Sequence, residues 1–280
     1  MENTIILAIA VIIGSIAYSA WKKYNFCIVT ALACGVVFAI SQVGDTFTWL
    51  AFTPRYLTDP GMIYTVLTSM YSHIGLNHLL FNMIALAFIG IILEQRIGTR
   101  PFILLYLISG LIGTLAFAGS NWNELSSVVG ASGAVSGVLG GLARLYPNER
   151  MSFMFFPTYP MRMWTVVLIF VGLQFVFVFW GSVAWEAHLG GLAAGILFAP
   201  IVLKIHKPDA VRKAVPVAAL RKLAVTPELR GILSRIEQET VPDVKMVWID
   251  HFMAKARCPI CGSAIKVSGE AVRCSKGHLL

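Results

Sequence analysis

The chain has 280 residues, of which 57% are hydrophobic and 13% are charged, with a mean hydropathy of +0.75. Soluble domains carry about 25% charged residues, so this composition excludes an ordinary soluble protein and indicates a polytopic membrane protein. The net charge is +8, but its distribution is uneven. Residues 1–203 carry 8 Lys or Arg against 7 Asp or Glu, whereas residues 204–280 carry 14 against 7. The basic tail is therefore predicted to be a separate unit in water.

Seven apolar segments predict an all-α polytopic architecture. They cover residues 5–21, 26–40, 77–93, 102–119, 131–146, 163–180 and 187–203. In the first segment the positive charges follow the apolar run instead of preceding it, which favours a retained span over a signal peptide. Several segments are at or below the usual crossing length of about 17–25 residues, so their ends are approximate.

The charges in the connections predict the orientation of the chain. One alternate set of connections contains Lys22, Lys23, Arg96, Arg100, Arg144, Arg150 and Arg162. The opposite set contains only Arg55. Because basic residues concentrate on the cytoplasmic side, we expect a multi-pass protein of the cell membrane with an outward N-terminus and a cytoplasmic C-terminal tail.

A serine lies between glycines where the fifth segment begins, in the run Val-Gly-Ala-Ser-Gly-Ala-Val-Ser-Gly of residues 129–137. Polar side chains at membrane depth are costly and usually functional, which makes Ser132 a candidate nucleophile. Helix packing is the alternative, because Gly133, Gly137 and Gly141 form a row of small residues. Taken alone, the stretch favours packing.

The predicted topology favours catalysis instead. Ser132, His188, His78 and Asn82 all lie near the outward ends of their segments, within about one turn of the same depth. His78 and Asn82 are four residues apart and so share one helical face. His188 is followed by glycines at positions 191 and 195, which allow a second helix to approach closely. A Ser-His pair within hydrogen-bond reach can act as a nucleophile and its base.

Three separated motifs resemble those of the rhomboid intramembrane serine proteases. The similar stretches are Gly-Ala-Ser-Gly at 130–133, Ala-His-Leu-Gly-Gly-Leu-Ala-Ala-Gly at 187–195, and the spacing of His73, His78 and Asn82. Glu-Gln-Arg-Ile-Gly at 94–98 also resembles the charged stretch that ends the second core helix of that family. The resemblance covers about residues 26–203, and it implies a six-helix core preceded by one extra N-terminal transmembrane helix.

The resemblance also implies an activity and its residues. Ser132 would attack the scissile carbonyl, and His188 would be the general base and then the acid. The Ser132 N–H and the side chains of His78 and Asn82 would hold the oxyanion. The substrates would be transmembrane helices of other proteins, cut near their outer ends. Asp45 and Asp59 lie in the outward loop, so a Ser-His dyad without a catalytic cofactor is expected.

The chain departs from the pattern of that family in two places. The outward loop has Tyr64-Thr65 where relatives often carry Trp-Arg, which puts the anchoring of this loop in doubt. Ser136 stands where an aromatic residue commonly stacks on the histidine. The dyad is therefore expected to be oriented differently.

The tail contains the spacing C-x₂-C-x₁₂-C-x₃-H, formed by Cys258, Cys261, Cys274 and His278. These ligands fit a Cys₃His zinc site, and disulfides are the alternative that a reducing cytoplasm disfavours. Four ligands leave no open position, so the zinc would be structural and would help this small domain to fold. The sequence does not indicate what the ribbon contacts.

The predicted organisation has four parts. Residues 1–25 form the extra helix, 26–203 the protease-like core, 204–256 a basic juxtamembrane linker with a helix, and 257–280 a zinc ribbon. The basic linker would be attracted to the anionic lipid of the bilayer.

The sequence disfavours two other functions. A catalytically silent relative that binds membrane-protein clients should lack Ser132 or His188, and both are present. A small-solute transporter should contain broken helices and inverted repeats at the midplane, and the sequence has no such repeat.

Overall fold

The computed structural model describes residues 2–22, 24–153, 156–178, 183–205, 217–238, 242–268 and 271–278. The chain forms two compact units, residues 1–208 and 209–280. Three predictions fall partly outside the described residues. These are Lys23 in the first connection, the last two residues of the sixth segment, and three basic residues of the linker (Lys207, Arg212 and Lys213).

The first unit contains ten α-helices in the described residues; six of the seven predicted segments each coincide with one of them, and the third segment spans α5 and α6. They are α1 (Glu2–Lys22), α2 (Phe26–Ser41), α3 (Thr46–Leu50), α4 (Thr65–Thr68), α5 (Leu76–Ala85), α6 (Ile91–Ile97), α7 (Thr99–Ser120), α8 (Ser132–Leu145), α9 (Met163–Val178) and α10 (Trp185–Ile205). A π-helical turn, Leu86–Gly90, joins α5 to α6, so the third segment is one continuous rod. That rod ends four residues later than the sequence predicted.

Four helices are long and apolar enough to cross a bilayer. They are Asn3–Lys22, Leu76–Ile97, Thr99–Ser120 and Trp185–Lys204. Two shorter apolar helices lie at Phe26–Ser41 and Met163–Val176. With 14 residues, α8 is about 21 Å long, which is less than the roughly 30 Å hydrocarbon core. The first unit is that of a multi-pass membrane protein.

The long connection between α2 and α5 is ordered by hydroxyl groups. Besides α3 and α4 it contains two 3₁₀ helices, Pro54–Thr58 and Ser69–Tyr71. The Tyr64 hydroxyl donates to the Trp49 carbonyl at 3.0 Å, and the Thr68 hydroxyl donates to the Leu50 carbonyl at 2.9 Å. These two hydrogen bonds anchor the loop, although it carries Tyr64-Thr65 in place of a Trp-Arg pair.

A β-hairpin follows α8, and the expectation of an all-α membrane part did not include it. Strand β1 (Arg150–Phe153) pairs antiparallel with β2 (Phe156–Arg162), with a bulge between Met151 and Phe153. The apolar periodicity of this stretch is too weak for it to stand out between two hydrophobic helices. The structure therefore adds a two-stranded element on the side of the connections that are rich in basic residues.

Two acidic residues fix the ends of helices in the first unit. The Glu94 carboxylate, which is buried, accepts hydrogen bonds from the N–H groups of Phe26 and Cys27 at 2.7 and 3.0 Å. It therefore caps the start of α2 together with Asn25, whose side-chain oxygen accepts from the Ile28 N–H at 3.0 Å. Glu149 forms a bidentate ion pair with Arg96, whose guanidinium lies over the Tyr146 ring. This pair joins the end of α6 to the segment after α8.

The second unit has a small core of its own. It contains α11 (Val217–Leu223), α12 (Pro227–Gln238), α13 (Pro242–Lys255) and a hairpin of β3 (Ile265–Ser268) and β4 (Ala271–Cys274). The buried side chains of this core include Leu220, Ile236, Phe252 and Val272. The amphipathic α12 was predicted in this region, whereas α13 was not.

Candidate active site and metal centre

Ser132 is the first residue of α8. The N–H groups in the first turn of a helix have no carbonyl partner within the helix, and the helix dipole makes this end attractive to negative charge. The residue two positions earlier, Gly130, has φ +118°, and a Cβ there would lie 2.7 Å from the His78 ring. The glycine is required both by its backbone conformation and by the close approach of the imidazole.

The loop that carries Ser132 is tied to neighbouring segments at three points. Val128 and Phe52 exchange two backbone hydrogen bonds of 2.8 and 3.2 Å. The Gly130 N–H donates to the Ser69 carbonyl at 2.8 Å. The Ala131 N–H points to Nε2 of His73 at 3.4 Å, and His73 is fully buried. His73 therefore supports the loop that precedes α8.

Glycines bring α8 and α10 together at backbone distance. A Cβ added at Gly191 would overlap the carbonyl of Gly133, and one added at Gly195 would overlap the carbonyl of Gly137. The small-residue row on α8 and the glycines after His188 are therefore the matching surfaces that the sequence predicted. We call this contact between the glycines of α8 and α10 the glycine seam. It places the N-terminal ends of both helices side by side, so the packing and the catalytic interpretations are compatible.

A cavity of about 1100 Å³ opens at these helix ends. Its lining includes all four residues predicted from the sequence, which are Ser132, His188, His78 and Asn82. In the described part of the chain, no hydrogen bond joins the Ser132 hydroxyl to the His188 ring. Catalytic hydrogen bonds are often long before substrate binds, so the absence of this bond is compatible with a catalytic role for Ser132 and His188.

The two predicted oxyanion donors differ in their arrangement. His78 is half-buried, and its ring lies 5.1 Å from that of His73 between centroids, in an edge-on orientation. The Asn82 amide is buried and donates to the carbonyl of His78 in its own helix at 2.9 Å. Both line the cavity, but Asn82 must rotate or share its second N–H to reach an oxyanion there.

The sequence did not predict the residues that hold His188. Gln174 of α9 lies with Oε1 2.8 Å from Nδ1 of His188, and the Phe170 ring is 6.2 Å from the imidazole. Ser136, which replaces the usual aromatic residue, donates to the carbonyl of Ser132 instead. The available signal was a lone glutamine in an otherwise nearly apolar sixth segment.

The second unit brings its four predicted metal ligands together. Cys258, Cys261, Cys274 and His278 place one ligand atom each within 4.8 Å of one another. The Cys261 and Cys274 sulfurs are 3.7 Å apart, and the Cys274 sulfur is 3.4 Å from Nδ1 of His278. A disulfide requires about 2.05 Å, and the three cysteines are free.

These separations fit a tetrahedral ion. With Zn–S bonds of about 2.3 Å and Zn–N bonds of about 2.0 Å, neighbouring ligands of a tetrahedron lie about 3.5–3.8 Å apart. Each ligand pair sits on a turn that contains a glycine with positive φ, at Gly262 (+69°) and Gly277 (+89°). The donor set and its geometry therefore suit zinc.

Comparison with known proteins identifies the family. A model of the rhomboid domain matches residues 60–205. The chain is 32% identical over 200 residues to the rhomboid protease GluP of Bacillus subtilis, an alignment that covers 70% of this chain and 38% of that protein. It is also 32% identical over 158 residues to the mitochondrial rhomboid protein 1 of Saccharomyces cerevisiae, covering 53% and 44% of the two chains.

A third relative is the RHOMBOID-like protein 4 of Arabidopsis thaliana, which is 37% identical over 143 residues, covering 50% of this chain and 34% of the relative. The chain therefore spans less than half the length of each of these relatives. The domain match includes Ser132, His188, His78 and Asn82. This chain belongs to the rhomboid family.

Proposed function

We propose that this protein is an intramembrane serine endopeptidase that hydrolyses peptide bonds in or near the transmembrane helices of other membrane proteins. The observation that carries the proposal is that Ser132 and His188, on separate helices, line one cavity with His78 and Asn82. The membership of the family supports it.

The reaction follows from the chemistry of this pair. Ser132 Oγ attacks the scissile carbonyl while His188 accepts the hydroxyl proton, which gives a tetrahedral oxyanion. His188 then donates that proton to the departing amine, which leaves an acyl-enzyme. Water enters through the cavity, His188 removes its proton, and the second tetrahedral intermediate releases the new carboxylate and restores the serine.

The oxyanion is held by groups around Gly130. The Ser132 N–H is available because it is at the start of a helix, and the half-buried His78 ring and the Asn82 amide supply side-chain donors from α5. Removing one such donor typically costs about 10²–10³ in rate. His78 is the stronger candidate, because the Asn82 amide already donates within its own helix.

The site accounts for the class of substrate. The short α8 ends below the level expected for a full crossing, so the hydroxyl lies within the membrane and the cavity brings water to it. A transmembrane helix must unwind to expose its carbonyl, so the cleaved bond is expected among small or helix-breaking residues.

The proposed orientation follows the basic residues of the connections. The catalytic cavity opens to the outer face of the cell membrane, and the tail is cytoplasmic. Residues 1–25 add one helix to the rhomboid core of residues 26–203. Residues 204–256 form the basic linker, which faces lipid headgroups. A structural zinc ion is bound by Cys258, Cys261, Cys274 and His278 in the ribbon of residues 257–280.

Reconstitution with a labelled transmembrane peptide tests the protease. Wild type should cleave the peptide, whereas Ser132→Ala and His188→Ala should reduce kcat by about 10⁶-fold, as loss of the serine or the histidine does in other serine proteases. Ser15→Ala, a buried serine of α1 whose hydroxyl donates to the Ile12 carbonyl, is the matched control and should keep most of the activity. Equal cleavage by all variants would end the assignment. Binding of the peptide without cleavage by wild type would favour a client-binding protein.

A further inference from the structure

Gln174 is a polar amide in an unfavourable place. It lies in α9, whose other side chains are almost all apolar, and it is only 4% exposed. Burying an amide without a hydrogen-bond partner costs several kcal/mol, and polar residues inside the membrane are usually functional. Its partner in the structure is His188, the proposed base.

The hydrogen bonds of Gln174 fix which atom faces the histidine. Its amide nitrogen lies 3.4 Å from the Phe170 carbonyl, which can only accept a hydrogen bond. The nitrogen must therefore point to Phe170 and the oxygen to His188. An oxygen 2.8 Å from Nδ1 requires that Nδ1 carry the proton. Nε2 is then the unprotonated nitrogen.

This tautomer is the one that the proposed reaction needs. With Nδ1–H bound to Gln174, Nε2 can accept the proton of the Ser132 hydroxyl. When the imidazolium forms, the Gln174 oxygen still accepts from Nδ1 and stabilises the charge. The orienting partner of a catalytic histidine acts in this way in serine hydrolases generally, where it sets both the tautomer and the ring angle.

Three other polar side chains that line the cavity make no hydrogen bond to the His188 ring in the described structure. The Ser136 hydroxyl is bonded to a backbone carbonyl. Glu186, on the same helix as His188, lies 3.4 Å from the Asn121 amide and accepts from it. His78 lines the cavity, and in the described structure its ring makes no hydrogen bond to His188. Among the described residues that line the cavity, Glu186 is the sole carboxylate, and it is engaged elsewhere.

We propose that Gln174 is the positioning residue of this site, holding His188 in the Nδ1–H tautomer from α9 while Phe170 contacts the ring from the same helical face. This assignment rests on the proposed function. Phe170 and Gln174 are four residues apart, so one helix supplies both the aromatic contact and the hydrogen bond that α8 lacks. The position of α9 consequently sets the orientation of the base.

The test compares three variants in the full-length protein reconstituted in liposomes. Gln174→Met keeps the volume but removes the acceptor, Gln174→Glu keeps an acceptor at the same reach, and Leu168→Met is a control on an exposed face of α9. Gln174→Met should lower kcat by at least about 10-fold and by up to about 10⁴-fold, the cost of losing the charged orienting partner in serine hydrolases, with KM changed less than about twofold. Gln174→Glu should recover most of kcat, and Leu168→Met should match wild type.

A second readout does not depend on activity. In ¹⁵N-histidine-labelled protein, His188, assigned by its loss in His188→Ala, should show the Nδ1–H tautomer in wild type and in Gln174→Glu. In Gln174→Met the Nε2–H tautomer should become populated. A merely structural role would leave this signal unchanged.

The outcomes separate the two proposals. If Ser132→Ala and His188→Ala are inactive while Gln174→Met keeps the kcat and tautomer of wild type, the positioning role is wrong and the protease remains. If wild type and Ser132→Ala are alike, the protease fails. The tautomer measurement then still decides whether Gln174 orients the ring. A Gln174→Met protein that loses activity but keeps the Nδ1–H tautomer would also overturn the positioning role.

Discussion

The α8–α10 interface and the C-terminal ribbon both bring together side chains that are distant in the sequence, but they do so with different forces. In the interface, Gly191 and Gly195 lie directly against the backbone of α8. In the ribbon, two turns present three sulfurs and one imidazole to a common point. Lipid gives apolar helices little hydrophobic reason to associate, so close van der Waals packing has to hold them. The second unit has only a small core, so a metal held by the proposed ligands would supply additional stability.

Removing a zinc ligand should have the largest effect and should be confined to the second unit. Cys274→Ser leaves three ligands, and binding of structural zinc is worth about 10–16 kcal/mol in comparable peptides. We expect loss of about one zinc per chain and rapid hydrogen exchange at the amides of β3 and β4, with peptide cleavage retained. Metal analysis and exchange mass spectrometry measure this.

Cys34→Ala is the control for the zinc experiment, because Cys34 is a buried free thiol in α2. It should leave the zinc content unchanged. A wild-type chain that contains no metal and still protects the amides of residues 258–278 would contradict the zinc site.

The second largest effect is expected from adding a methyl group to the glycine seam, and it should be confined to the first unit. In Gly195→Ala the new Cβ overlaps the Gly137 carbonyl, and overpacking of this kind costs about 1–3 kcal/mol or more. We expect a lower unfolding temperature in detergent and a loss of cleavage, since Ser132 and His188 would move apart. Thermal unfolding and the peptide assay measure the two effects.

Gly172→Ala is the matched control for the seam, since no atom lies within 4 Å of a Cβ added at Gly172 of α9. Alanine is the better helix former by about 1 kcal/mol, so this variant should be as stable as wild type or slightly more stable. Equal losses in Gly172→Ala and Gly195→Ala would show that the seam is not the source of the effect.

The smallest expected effect is the contribution of the Arg96–Glu149 ion pair to the stability of the first unit. The hydrogen bonds from Arg96 lower the pKa of Glu149. A carboxyl group with a lowered pKa stabilises the folded state above its unfolded pKa of about 4.3, and this contribution disappears as pH falls through the folded value. Because the Arg96 and Glu149 side chains are 26% and 35% exposed, the pair should contribute less than about 1 kcal/mol.

Unfolding temperatures of wild type and Glu149→Gln, measured from pH 7 to pH 3, test this contribution. The difference should be small at pH 7 and should vanish at the acid end. Glu124→Gln is the control, because Glu124 is exposed and accepts only from Ser126 in the described structure. A difference that grows as pH falls would contradict the assigned sign.

Most of the fold could be predicted from the chain itself. The seven apolar segments coincide with helices because long hydrophobic runs have no stable alternative in lipid. The hairpin of residues 150–162 could not be predicted, since short strands beside stronger elements depend on tertiary contacts, and α13 could not because its apolar residues are not gathered on one helical face.

By itself the sequence determined the class of the protein, the grouping of Ser132, His188, His78 and Asn82 at neighbouring helix ends, and the spacing of the four candidate metal ligands, because these depend on local periodicity and charge. Only the tertiary structure placed Gln174 against His188 and engaged the Asn82 amide within its own helix. Hydrogen bonds between helices depend on how each helix is rotated about its axis and shifted along it. The apolar residues around Gln174 do not indicate which neighbouring helix its side chain faces.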